Sequence, residues 1–255
     1  MLSIHALPAF ADNYIWLLQD EEPQCCAVVD PGDAEPVLAW LATHPGYRLT
    51  DILLTHHHSD HTGGVARLKD SCGARVIGPA KEPIAPIDVP AKDGDQLQVL
   101  GQTLTVLETP GHTLGHVVYL GEIDGLPRLF CGDTLFAAGC GRVFEGSMAQ
   151  MYASLRRLSA LLANTLIYCA HEYTLANLRF ARAAAPTNPA IAERLQQVEK
   201  QRQNGLITLP STVAIELQTN PFLRTEQGAL RAQLPGQPAD GLAAFTELRS
   251  WKDRF

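Results

Sequence analysis

Within the segment Thr55-His56-His57-His58-Ser59-Asp60-His61, four imidazoles and a carboxylate crowd into the six residues from His56 to His61. Neutral imidazole and carboxylate are ligands for zinc and similar divalent ions. Residues two apart, His56 and His58, can face one ion while Asp60 and His61 face another. A solvated histidine-rich loop would have the same local composition, but further donors follow other apolar runs. His112 comes after Leu104 to Gly111, Asp133 after Leu129 to Gly132, and His171 after Leu166 to Ala170. Five histidines and two aspartates exceed one tetrahedral site, whereas two ions sharing a carboxylate would use them all. Our partition gives His56, His58 and His112 to one ion, Asp60, His61 and His171 to the second, and Asp133 to both; spacing alone does not fix it. Such a pair lowers the pKa of water to about 7. The expected nucleophile is therefore a metal-bridging hydroxide, and the motifs offer no Ser-His or Cys-His pair as a side-chain nucleophile. His57 is expected to point away into the loop, His116 to pack behind the ligands, and Asp30 to orient the loop.

Donors aimed at one point need a rigid frame. Short apolar runs rich in β-branched residues end in Gly, Asp or His: Cys25 to Val29, Ile52 to Leu54, Leu104 to Leu107, Val117 to Leu120, Arg128 to Phe130 and Leu166 to Cys169. They read as strands, several buried on both faces. Helices interleave with them. Asp33 is expected to cap one over Val37 to Ala42, Thr62 to start another over Val65 to Lys69, and Gly73 to stop it. Ser147 with Gln150 forms a capping-box pattern ahead of Met151, Leu155, Leu158 and Leu162 on one helical face. Beyond residue 171 the strand signals fade, and Ala176 to Ala185, Ile191 to Gln203, Thr212 to Leu217 and Leu242 to Lys252 read as helices. Asn188-Pro189 opens one and Gly205 closes it. The spacing predicts an α/β domain over residues 1–171 and a smaller all-helical domain over 172–255.

The 255 residues are 46% hydrophobic and 18% charged, enough to bury a sizeable core. A formal charge of −7 gives no reason to expect a nucleic-acid footprint. Six scattered cysteines, without a C-x-x-C pair or a signal peptide, fit a reducing cytoplasm. No run approaches the roughly 20 apolar residues of a membrane span.

The Thr55 to His61 segment resembles the H-x-H-x-D-H signature of the metallo-β-lactamase superfamily, and His112, Asp133 and His171 match its remaining ligands in order. That resemblance implies an αββα sandwich with the metals at one edge. Further segments are similar to glyoxalase II, the hydroxyacylglutathione hydrolases: Phe10 to Tyr14, Val29 to Asp33, Gly132 to Phe136, Gly139 to Arg142, Ala170 to Thr174, Asn220 to Arg224 and Lys252 to Phe255. The likeness spans essentially the whole chain. It implies hydrolysis of S-(2-hydroxyacyl)glutathione, with S-D-lactoylglutathione giving D-lactate and glutathione, and two divalent ions per chain, zinc first, with iron or manganese as alternatives. It also implies a glutathione site formed by Arg142, Phe144, Tyr173, Asn177, Arg249 and Lys252. Arg and Lys suit glutathione's carboxylates, and Tyr173 and Asn177 its peptide groups; Phe144 has no hydroxyl to donate. The partner is then a small thioester, with no nucleic acid or membrane, and the chain a monomer. The rival readings are a lactonase or another thioester hydrolase of the superfamily, and a non-catalytic binder of metal or glutathione conjugates.

Overall fold

The computed structural model describes residues 2–255. The chain divides into two compact units, Met1–Glu108 with Leu114–Gly132, and Thr109–Thr113 with Asp133–Phe255.

The first unit contains, in order, β1 (Leu2–Ala9), β2 (Asn13–Asp20), β3 (Cys25–Val29), α1 (Glu35–Thr43), β4 (Arg48–Leu53), α2 (Ser59–Thr62), α3 (Val65–Cys72), β5 (Arg75–Pro79), β6 (Val89–Ala91), β7 (Gln96–Val99), β8 (Gln102–Glu108), β9 (Val117–Ile123) and β10 (Leu126–Gly132). Strands β1 to β6 form one sheet in sequence order. Its first two pairings are antiparallel and the later three parallel. Every residue of β3 is buried, as expected of a parallel strand covered on both faces. On one face Ile15, Leu17, Val28, Ile52 and Leu54 pack with Val37 of α1 and Val65 and Leu68 of α3. Truncating any of the larger ones to Ala costs about 2–5 kcal/mol. Strands β7 to β10 make an antiparallel meander. The parallel register sets Val28 beside Ile52 and Val29 beside Leu53. The loops that leave β3 and β4, one bearing Asp30 and the other the histidines, therefore start side by side.

The second unit carries the hairpin β11 (Leu135–Phe136) and β12 (Gly139–Cys140), then α4 (Met148–Ser159), β13 (Leu166–Cys169), α5 (Thr174–Ala184), α6 (Pro189–Gln203), β14 (Ser211–Thr212), α7 (Val213–Thr219), a 3-10 turn at Pro221–Leu223, α8 (Gly228–Arg231) and α9 (Gly241–Lys252). The capping box on α4 has both of its hydrogen bonds, and Asn188 caps α6 through its side chain. Gly205, at φ 70°, follows α6 as the expected stop.

Three local expectations need correcting. Ala34, not Asp33, is the N-cap of α1, although the Asp33 carboxylate still accepts from the Glu35 N–H at 3.0 Å. Thr62 ends the short helix α2 instead of starting α3, whose N-cap is Gly64. Leu162 lies beyond α4 and is 68% exposed, so the apolar face stops at Leu158. The segment after 171 is helical apart from the two-residue strand β14. Among the described residues no helix is long and apolar enough to cross a membrane.

Candidate functional site

In the first unit, Asp30 directs the histidine loop. It follows β3 at a positive φ of 52°, a conformation that aspartate tolerates better than most residues. Its Oδ1 accepts the Thr55 N–H and its Oδ2 the Thr55 hydroxyl, each at 2.8 Å. Because that hydroxyl donates to Asp30, it can only accept from His56 Nδ1, 3.0 Å away. His56 therefore carries its proton on Nδ1 and presents a bare lone pair at Nε2. That nitrogen lies 3.0 Å from His58 Nδ1. Asp30 Oδ2 also lies 3.1 Å from His61 Nδ1, and His61 Nε2 lies 3.4 Å from Asp60 Oδ2. Asn13 donates to the same Asp60 oxygen at 3.1 Å.

The residues around the loop act on it indirectly. His116 is fully buried, its ring stacked on that of His56 at 4.9 Å. Tyr119 donates to Leu54 O at 2.6 Å; burial, with the Asp30 charge adding to it, pushes the phenol well above its ordinary pKa. His57 pairs with the Glu82 carboxylate, whose other oxygen accepts the Gly115 N–H at 2.7 Å. His57 thus ties the loop to its neighbour through Glu82.

The second unit repeats the tautomer logic. His112 Nδ1 is 2.8 Å from the Arg142 carbonyl, which can only accept, so Nε2 is the bare nitrogen. It lies 3.4 Å from Asp133 Oδ2, and His171 Nε2 lies 3.4 Å from Asp133 Oδ1. A lone pair facing a carboxylate oxygen at that distance is repulsive until a cation lies between them. The donors in both units thus fit divalent cations, and the acceptors behind His56 and His112 fix the ligating nitrogen, as metal sites require. Two glycines make room. Gly111 has φ 151°, and an added Cβ would meet Met151 Cα at 2.7 Å; a Cβ on Gly141 would overlap the Asp133 carbonyl.

All six positions expected to bind glutathione line a cavity of about 400 Å³ in the second unit, together with His112 and Asp133. They differ in what they have left to offer a ligand. Arg249 is 4% exposed; its Nη1 donates to Cys140 O at 2.9 Å and its Nη2 to Asp253 at 3.0 Å. The same Asp253 oxygen holds Arg142 Nε at 3.2 Å. Asn177 Nδ2 donates to Ala137 O at 3.0 Å. Lys252 lies over the rings of Phe180 and Phe255, and its pKa is lowered, first by burial and then by Arg249. Tyr173 stacks on His171 at 4.7 Å, and Phe144 meets His112 edge-on at 5.3 Å. Cys140 also lines the cavity, but burial raises its thiol despite Arg249, so it is not poised as a nucleophile. The sequence reading missed Cys140, Asp253 and Glu82. Asp253, inside the Lys252 to Phe255 segment, and Cys140, inside Gly139 to Arg142, left a signal there; Glu82 left none. His5 and His44 have local partners, Ser3 and Trp40.

Residues 10–171 match the model of the metallo-beta-lactamase superfamily, and residues 172–255 that of the hydroxyacylglutathione hydrolase C-terminus. Proteins named hydroxyacylglutathione hydrolase from Pseudomonas savastanoi and Pseudomonas aeruginosa are 58% and 56% identical to this chain, each alignment covering 100% of both sequences. The chain belongs to the hydroxyacylglutathione hydrolase family. Among solved structures, ETHE1 from Myxococcus xanthus superposes with a TM-score of 0.66 at 24% identity, covering 99% of each chain. The BLEG-1 B3 metallo-beta-lactamase gives 0.65 at 22% identity, covering 88% of this chain and 99% of its own. At such identities the likeness speaks for the fold alone: this family member has the metallo-β-lactamase fold, with a helical extension at its C-terminus.

Proposed function

We propose that this hydroxyacylglutathione hydrolase family member hydrolyses S-(2-hydroxyacyl)glutathione thioesters, with S-D-lactoylglutathione giving D-lactate and glutathione in the second step of methylglyoxal detoxification. The observation that carries the reading is a single cavity lined both by the donors His112 and Asp133 and by Arg142, Arg249 and Lys252. In this reading His56, His58 and His112 hold one divalent ion, Asp60, His61 and His171 a second, and Asp133 both. Zinc is the proposed occupant, with iron or manganese accepted by the same donor types. When bound, the ions supply an acidified water and a Lewis acid for the thioester carbonyl.

The chain's own residues do the rest. Thr55, held by Asp30, keeps His56 in its ligating tautomer, and the Arg142 carbonyl does the same for His112. Residues 1–171 form the catalytic part and 172–255 the part that grips glutathione. Lys252 offers its ammonium to a substrate carboxylate, and Tyr173 its hydroxyl to a peptide group. Arg249, whose Nη1 and Nη2 bind the Cys140 carbonyl and Asp253, and Asn177, whose Nδ2 binds the Ala137 carbonyl, shape the wall of the cavity. The leaving thiol has a pKa of about 8.5, so its thiolate departs without a dedicated general acid. Six free cysteines fit a reducing cytoplasm, and we take the chain to act as a monomer.

The test is a comparison of kcat/KM for S-D-lactoylglutathione, a coenzyme A thioester and a lactone. The glutathione thioester is expected to be preferred by at least about 100-fold, roughly 2.7 kcal/mol of differential transition-state binding. Equal turnover of the three would remove glutathione from the account.

A further inference from the structure

The hairpin β11–β12 contributes Phe136 and Cys140 to the cavity and leads directly into Arg142. Its turn is unusual in what holds it. Ala138 sits at φ 56°, a left-handed conformation that alanine rarely adopts. Side chains from elsewhere in the second unit bind the backbone groups around it. Asn220 Nδ2 donates to Phe136 O at 3.2 Å and to Gly139 O at 2.9 Å, and Asn177 donates to Ala137 O. The Ala138 N–H donates to Glu216 Oε2 at 2.7 Å.

Glu216 is 0% exposed, and four donors converge on it. Oε2 accepts from Ala138 N and from Asn220 Nδ2 at 3.0 Å. Oε1 accepts from Ser211 Oγ at 2.5 Å and from Arg194 Nη2 at 2.8 Å. Arg194 reaches in from α6 and also donates to Thr219 Oγ1 at 2.5 Å. A largely buried ion pair is weak evidence for stability, because its attraction mostly offsets lost hydration. Its orientation is more telling: the carboxylate is aimed at the Ala138 N–H, in the strained turn between the cavity-lining Phe136 and Cys140.

We propose that Glu216, held by Arg194, is a positioning residue that sets glutathione affinity by fixing the Ala137–Ala138 turn. This rests on the functional reading above. The effect falls on binding because the turn joins two cavity-lining residues, Phe136 and Cys140, whereas Thr134, next to Asp133, has its own buried hydroxyl contact with Thr109 at 2.9 Å. Neither residue touches the reacting atoms.

Two paired variants separate positioning from bulk stability. In Arg194→Met with Glu216→Gln, the new amide keeps an oxygen toward Ala138 and Asn220 and turns its NH2 toward Ser211. KM for S-D-lactoylglutathione and the calorimetric Kd for glutathione are then expected to stay within about threefold of wild type. In Arg194→Met with Glu216→Met, no charge is left buried, but the acceptor for Ala138 is gone. Both constants are expected to rise about tenfold, with kcat within about twofold and a single cooperative melt. An unchanged Kd in the folded methionine pair, equal losses in both pairs, or a kcat that falls in step would each overturn the proposal. A second measurement needs no variant. By reciprocity of coupling, saturating glutathione should slow hydrogen exchange at the wild-type Ala138 amide, and an unaltered rate would refute the coupling. Wild-type protein that neither binds glutathione nor cleaves the thioester would sink the functional reading, and this inference with it.

Discussion

The histidine loop of the first unit and the cavity of the second are built on opposite plans. The loop packs its donors into six consecutive residues, and one carboxylate, Asp30, orients His56 through Thr55 and lies 3.1 Å from His61. The cavity collects its groups from segments up to 140 residues apart, Lys252 against His112 (252 − 112), and several of them already hold other residues. The four donors of the loop are aimed locally, from the end of a strand in fixed register. Affinity for an extended ligand is assembled from many weaker, longer-range contacts.

If the contrast holds, substitutions at or behind the proposed metal donors should damage catalysis, and substitutions at the other cavity-lining residues should damage affinity. Asp133→Ala should have the largest effect. Turnover should fall by at least about 1,000-fold, near 4 kcal/mol, with at least one metal equivalent lost on elemental analysis. Near-normal activity with full metal content would end the bridging assignment. Thr55→Val keeps the shape of the side chain but removes the acceptor that holds His56 Nδ1. Losses at such supporting residues run to about 10–100-fold in metal affinity or activity, and a metal titration would show it. Were its effect smaller than that of every cavity substitution, the contrast would fail.

Lys252→Ala should raise KM about tenfold, near 1.4 kcal/mol, with kcat unchanged. The sign of the pH dependence follows from the lowered pKa. The ammonium that pairs with a carboxylate is complete below the Lys252 pKa and is lost as pH rises through it, so KM should climb at a lower alkaline pH than an ordinary lysine would cause. Lys252→Arg should flatten that climb. Arg142→Ala should matter least, about twofold in KM, because its side chain is half exposed and already tied to Asp253. A tenfold effect there would mean that Asp253 releases Arg142 to the substrate.

The parts legible in the sequence are those whose causes are local. Strands β3 and β13, the capping box at Ser147 and the Asn188 cap lie where their own residues put them. Strand β2 escaped notice because Asn13 to Leu18 is buried throughout, leaving no alternation to read. Strand β1 mixes buried and exposed positions without a period of two. The two-residue strands β11, β12 and β14 are too short for any pattern. The same division runs through the site. The donors announce themselves by type and spacing, whereas Glu216 was silent, since its role depends on Ala138, 78 residues away. Asn177 could be placed at the cavity by resemblance, but not the carbonyl that occupies its amide.

Metal removal and return with turnover followed on the same sample tests the account most directly. Dialysis against a chelator should abolish hydrolysis of S-D-lactoylglutathione while the far-ultraviolet circular dichroism persists. Added zinc should restore activity along a titration that ends at two equivalents per chain. Chelated protein that still cleaves the thioester at its original rate, with no metal detected, would contradict the account.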